Sequence, residues 1–395
     1  VKPRERPGWT GPGYTKKGGK HIPRPPPAPK PVVIPPGDEH QSLGAPDQQL
    51  LLDAVRKAFP RCEEVEAMKS VLEGVEEAMG RGDWQVAFEE TEMREAWVVR
   101  WGAERAVWFA NLLVKVVETL EDDALFAPLR SKGEDEEEEE EEKDDDDDDE
   151  EPLRVVSFGG SPAEVLALGG VIRHFRPDAY GKSKADLESS DSDSDAGQIV
   201  DLQLANSINW TREIETSLAA LLSPPTLSKY ASASAIANSA PFLAKSALEP
   251  ELNRFSALEA SQEDVGDLVG DEAALITLFY TVADLAATSV AKTVALLLKL
   301  TIAAPKGSLV VVFDHAEGEG RSESGEGKKG YPLRYLLDMA FLGKKPSGED
   351  QEAGVKPAWK MLLADEERVV KVNDGLRYAV GFETAKAQVY VFRRL

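Results

Sequence analysis

Apolar residues in the first third of the chain recur at helical spacing. Leu51, Val55, Ala58 and Phe59 share one face of a helix that begins at Leu50, and a second pattern runs through Val65, Met68, Val71, Leu72 and Val75. A third segment, Glu92 to Leu120, carries Trp97, Trp101, Val107, Trp108, Leu112, Val116 and Leu120. Its aromatic stripe reads as core rather than as a ligand box, and the three segments together predict a helical layer. After residue 153 the pattern changes. Short apolar runs at Val155–Phe158, Ile199–Ala205, Ala274–Thr281 and Leu309–Phe313 predict strands, with Leu252–Leu258 as a poorer one. Helical stretches at 212–222, Ser289–Thr301 and Tyr331–Leu342 lie between or after them. Tyr378–Phe382 and Gln388–Phe392 have the spacing of a hairpin. The alternation predicts an α/β fold, a parallel sheet with helices on both faces and a closing antiparallel pair, preceded by a small all-helical region.

Charge divides the rest of the chain. The formal net charge is -25, but Glu134–Glu151 alone holds seventeen acidic residues against Lys143, while residues 1–30 hold eight Lys and Arg against Glu5. Residues 1–45 are a Pro/Gly-rich basic tail expected to be disordered, 46–130 the helical region, 131–152 an acidic linker and 153–395 the α/β domain. Within that domain, 181–197 reads as a second acidic insertion; its run Ser189-Ser-Asp-Ser-Asp-Ser-Asp195 suits an acidophilic kinase or is a plain flexible loop. Cys62 is the only cysteine and the four histidines are scattered, so neither a disulfide nor a cysteine- or histidine-based metal site is expected. No run approaches transmembrane length and no apolar signal core opens the chain, so a reducing intracellular compartment is expected.

The most informative stretch is Arg154-Val-Val-Ser-Phe-Gly-Gly-Ser-Pro-Ala-Glu-Val-Leu-Ala-Leu168. A strand reaches the turn Gly159-Gly160 and passes directly into a helix with Val165, Leu166 and Leu168 on its apolar side. Glycines let a backbone approach a ligand, and helix-end N–H groups then face it, so this is either a cofactor turn or an ordinary tight turn.

Several segments settle on one family. Gln49–Leu113, above all Trp84-Gln-Val-Ala-Phe88 and Arg100-Trp-Gly-Ala-Glu-Arg-Ala106, resembles the helical N-terminal part of fungal S-adenosylmethionine-dependent ribosomal RNA methyltransferases. So do Leu275-Ile-Thr-Leu-Phe-Tyr-Thr-Val-Ala-Asp-Leu285, Tyr331-Pro-Leu-Arg-Tyr-Leu-Leu-Asp338 and Val389-Tyr-Val-Phe-Arg-Arg-Leu395. That family methylates N(3) of a uridine in large-subunit rRNA, and the resemblance covers nearly all of 47–395 apart from the acidic insertions. It implies a class I (Rossmann-like) methyltransferase sheet, S-adenosyl-L-methionine as cofactor, ribosomal RNA or a pre-ribosome as partner, and a nuclear or nucleolar location, with the cytoplasm as alternative. It implies no metal and no membrane.

Carried over residue by residue, the resemblance places Gly159 and Gly160 under the methionine part of the cofactor, and Glu164 matches a motif glutamate. Asn206 falls where a carboxylate meets the ribose hydroxyls, and Glu259 where an acid meets the adenine amino group. Thr281 to Asp284 lie where the methyl is transferred. The chain departs from the pattern in two places. It reads Ser161-Pro162 where the family has more glycine, and Asn206 offers one acceptor oxygen instead of two. Both departures favour an alternative, a methyltransferase-fold scaffold in ribosome assembly; a protein or small-molecule substrate is another.

Asp284 is the candidate to orient or remove the uridine N(3) proton, or else it caps a helix starting near Ala286. Asp314 shares this ambiguity, and His315 reads as a loop residue. The basic tail, with Trp9 and Tyr14 for stacking, reads as an RNA contact, a solvated linker or a nuclear-import patch. There is neither an Asn/Asp-Pro-Pro-Tyr/Phe motif nor a cysteine pair, which disfavours exocyclic-amine and carbon-5 methylation.

Overall fold

The computed structural model describes residues 42–130, 151–183, 197–316, 331–343 and 357–395. The basic tail through residue 41, the acidic tract 131–150 and the Ser/Asp run at 184–196 lie outside the described residues.

The helical region comprises α1 (Ala45–Ala58), α2 (Val65–Gly80), α3 (Trp84–Ala87), α4 (Thr91–Trp97) and α5 (Ala103–Thr119), with a π turn at Val98–Gly102 between the last two. The α/β part then runs β1 (Leu153–Phe158), α6 (Pro162–Phe175), β2 (Val200–Asn206), α7 (Thr211–Leu221), α8 (Ala233–Ala237) and β3 (Leu248–Arg254). It continues with α9 (Gln262–Val269), β4 (Leu275–Phe279), α10 (Val282–Ala303), β5 (Leu309–His315), α11 (Leu333–Leu342), β6 (Trp359–Val370) and β7 (Ala385–Arg394).

The seven strands lie in the order β3-β2-β1-β4-β5-β7-β6, all parallel except β7. That is the class I methyltransferase sheet. Parallel neighbours require crossovers, and helices supply them, so the central strands are covered on both faces. Accordingly every residue of β4 is buried, and so is β5 up to Asp314. Strand order reverses between β1 and β4, where Ser157 sits beside Thr277 and Phe158 beside Leu278. The crevice beyond the carboxyl ends of these two strands is where such sheets bind ligands.

Four expectations shift. The third strand is Leu248–Arg254, not Leu252–Leu258. As an edge strand it is largely exposed and accommodates Pro250, so its apolar signal is dilute. Tyr378–Phe382 is not a strand; β7 pairs instead with β6, whose polar sequence and two register shifts hide it as an edge. Tyr378 and Phe382 stack on each other with centroids 5.3 Å apart, and the Tyr378 hydroxyl donates to the Val99 carbonyl inside the π turn. Finally, the helix expected at Ser289–Thr301 begins at Val282 and passes through a kink at Ser289, which leaves helical geometry. Taken across that kink to Ala303, α10 is by length and composition apolar enough to cross a membrane, against the expectation that no run is; its Leu296, Leu297 and Leu300 are buried in the core of this fold.

The helical region packs directly on the sheet. Phe109 of α5 lies 4.5 Å, centroid to centroid, from Phe279 and 5.7 Å from Phe313. Trp97 at the end of α4 is 5.3 Å from Trp210, which precedes α7. Beside that contact, Arg94 pairs with the fully buried Glu213. A buried pair of this kind ties α4 to α7 chiefly because losing one partner strands the other.

Candidate functional site

The site forms where β1 ends in two glycines that tolerate no side chain. Gly159 has φ +78°, and a Cβ there would stand 2.6 Å from the Thr281 hydroxyl. A Cβ on Gly160 would stand 2.5 Å from Leu204 Cδ2 and 3.1 Å from the Ser157 carbonyl. The turn is therefore fixed from both sides. Thr281, buried after β4, shares its hydroxyl proton between the Phe158 carbonyl (2.8 Å) and the Phe279 carbonyl (2.9 Å), which locks β4 to β1. On the other side, Asn206 Nδ2 donates to the Gly160 carbonyl (2.9 Å), and its Oδ1 accepts from the Ile208 N–H (2.9 Å). Asn206 thus braces the loop with both ends of its amide.

Helix α6 starts immediately after the turn, with Ser161 as its cap and Pro162 at its first position, where a missing N–H costs nothing. Glu164 completes a capping box. Its Oε2 accepts from the Ser161 N–H (2.8 Å) and hydroxyl (2.7 Å), while the Ala163 N–H donates to Ser161 Oγ (3.3 Å). The helix-end N–H groups expected to face a ligand are thus largely taken within the protein. Glu164 is 4% exposed, and burial pushes its carboxyl up to about 7 against the opposing pull of those hydrogen bonds.

The ends of β4 and β5 form the other wall. Tyr280 holds a left-handed backbone (φ 51°) with its N–H donated to the Phe313 carbonyl at 2.7 Å. A bulky residue in this region stores on the order of 1–3 kcal/mol of strain, which only a rigid surround maintains. Asp314 is completely buried. It accepts from the Ala283 N–H at 2.8 Å and the His315 N–H at 2.9 Å, and burial, with the like charge of Asp284 adding, pushes its carboxyl up to about 7. Asp314 therefore caps α10 from the neighbouring strand. Asp284 lies inside the first turn of α10, half-buried, and is not the cap. His315 sits 4.5 Å from the Tyr280 ring, and burial holds it down at about 4, so it is neutral at physiological pH.

Of the predicted residues, Gly159, Gly160, Glu164, Asn206 and Thr281 come together around one turn, and Asp284 stands one strand end away. Glu259 is exposed after β3 and ion-paired to Lys292 of α10. Arg105, in the first turn of α5, was not among the expected residues. Its guanidinium lies over the Tyr280 ring (4.4 Å) and near the Trp97 ring (5.1 Å). Only its place in the Arg100–Ala106 segment marked it. No group of three or more metal-ligating side chains occurs among the described residues.

The turn fits an S-adenosylmethionine-type ligand in two respects. Its backbone leaves the Gly160 N–H without a partner among the described residues, and Arg105 brings an unpaired cation to the same edge.

A family model described as "Putative SAM-dependent methyltransferase" matches residues 55–393. Among solved structures, a SAM-dependent methyltransferase from Anabaena variabilis is 12% identical over 73% of this chain and 87% of that one, with a TM-score of 0.32. A SAM-dependent methyltransferase from Methanosarcina mazei is 8% identical over 62% and 93%, with a TM-score of 0.31. A variant of the 16S rRNA (adenine(1408)-N(1))-methyltransferase from Catenulisporales acidiphilia is 10% identical over 62% and 85%, with a TM-score of 0.30. No curated protein matches the sequence.

Proposed function

Because the chain belongs to this family of S-adenosylmethionine-dependent methyltransferases, we propose that its acceptor is N(3) of a uridine in large-subunit ribosomal RNA. The reading draws on the resemblance of the Gln49–Leu113, Leu275–Leu285 and C-terminal segments to enzymes of that specificity. The observation that carries it is the arrangement at the end of β4. There Asp314 caps α10 by accepting from the Ala283 N–H, and Asp284 stands in the first turn of that helix, three residues after Thr281.

S-adenosylmethionine, when bound, supplies a methyl group activated by a sulfonium centre. The chain's own tasks are alignment and proton removal. Gly159 and Gly160 hold the backbone close to the ligand, and Thr281 fixes that turn against β4. Asp284 accepts the proton from uridine N(3), a ring nitrogen that becomes nucleophilic on losing it. Covalent activation at carbon 5 would need a thiolate, and Cys62 is fully buried in the turn between α1 and α2, where burial pushes its thiol up to about 11. The rRNA partner and a nuclear or nucleolar location belong to the same proposal.

The test is Asp284→Asn. Turnover on uridine-containing rRNA is expected to fall on the order of 10²- to 10⁴-fold, the usual contribution of a positioned acid–base group, with the cofactor Kd unchanged. A parallel loss of cofactor affinity, or undiminished turnover, would remove Asp284 from this role.

A further inference from the structure

Arg105 is half-buried where α5 meets the sheet, and it is held by rings rather than by acids. Among the described residues it makes no ion pair or hydrogen bond. The acids of its own neighbourhood are engaged elsewhere: Glu104 and Glu383 both pair with Arg100. A partly desolvated guanidinium whose five donors are not taken up by a hydrogen bond within the fold is arranged for a ligand that is itself an anion.

The π turn sets this placement. Trp97 and Arg105 are eight residues apart, and two turns of regular α-helix take only about seven. The π turn at Val98–Gly102 inserts about one extra residue and rotates α5 back into phase. Arg105 thereby comes over Trp97 and, on its other side, over Tyr280. Phe109, four residues on, continues the same face down onto Phe279.

We propose that Arg105 binds the α-carboxylate at the methionine end of the cofactor. At the turn, the Gly159 N–H is donated to the Ala205 carbonyl, the Ser161 N–H to Glu164 and the Ala163 N–H to Ser161, and Pro162 has none. One loop N–H, that of Gly160, remains, which is too little for a carboxylate with two oxygens. The nearest charged group at the turn, Glu164, is itself an acid. Arg105 lies over Tyr280, the residue before Thr281, whose hydroxyl meets the Phe158 carbonyl beside the turn. A guanidinium fork meets a carboxylate with two parallel hydrogen bonds. Its place in the crevice, packed between two rings, suits a small ligand's carboxylate better than a phosphate of a polymer.

This inference rests on the cofactor and not on the identity of the methyl acceptor. The experiment is calorimetric titration of the full-length protein with two ligands that differ in the group at issue. S-adenosylhomocysteine carries the amino-acid carboxylate, and 5′-methylthioadenosine lacks it. Arg105→Gln is expected to weaken S-adenosylhomocysteine on the order of 10- to 100-fold while leaving 5′-methylthioadenosine within about twofold. Arg105→Lys, which keeps the charge but not the fork, should fall between Gln and the unmodified protein for the first ligand only. Equal weakening of both ligands would mark a structural effect and overturn the proposal. So would unchanged S-adenosylhomocysteine binding, or a loss confined to RNA affinity. If the unmodified protein bound neither ligand, the cofactor assignment itself would fall, and a failure specific to Arg105 is distinct from that.

Discussion

Glu164 is a carboxyl group held away from water, and its behaviour with pH follows from that. Its ordinary value of 4.5 applies to the unfolded chain, whereas burial raises it to about 7 in the fold. Between these values the native state keeps a proton that the unfolded state has released, so stability falls as pH rises through this window and levels off above it. At about 1.4 kcal/mol per unit, the loss is on the order of 3 kcal/mol. Asp314 contributes in the same direction, while His315, held neutral down to about 4, works oppositely below its ordinary 6.5. Glu164→Gln keeps an acceptor for the Ser161 N–H and removes the charge. Melting temperatures at pH 5.5 and 8.0 should therefore differ less in the variant than in the unmodified protein. An identical pH dependence would mean that Glu164 is not the group being titrated. The residue types here were legible from sequence, but their work was not. Position matches Glu164 and Asn206 to the cofactor, and in the fold both also brace the glycine turn; the Ser161-x-x-Glu164 spacing of a capping box carries a trace of the first, whereas the bond from Asn206 to the Gly160 carbonyl leaves none in residue spacing.

At the scale of elements, α5 is both the wall of the core and the carrier of Arg105. Phe109 is 2% exposed and touches the rings of Phe279, Tyr280 and Phe313. Phe109→Ala should lower unfolding free energy by about 3–5 kcal/mol, read as a drop in the urea midpoint with the slope unchanged. A shift below about 1 kcal/mol would mean that α5 does not anchor on the sheet as described. The strongly apolar elements β1, β4, β5 and α5 were readable because burial on all sides imposes continuous apolar runs. The edge strands β3 and β6 were displaced or missed because half of each faces away from the core and their polar residues mimic loops. The π turn was invisible for a different reason: a single inserted residue changes phase without changing composition.

For the molecule as a whole, the sheet order with its one reversed strand and the family match over residues 55–393 give the same answer, an S-adenosylmethionine-dependent methyltransferase. The helical layer meets the end of β4, where Arg105 lies over the rings of Trp97 and Tyr280. The alternation of strands and helices was legible along the chain, as was the position of the glycine turn at the switch point. The contact of the helical layer with the end of β4 was not, because it depends on how two distant segments meet. The most direct test of the account is nucleoside mass spectrometry of large-subunit rRNA from cells lacking this gene and from the same cells carrying it again. The account predicts that one 3-methyluridine disappears and returns with the gene, but does not return with Asp284→Asn. An rRNA methylation profile that is the same with and without the gene would contradict it.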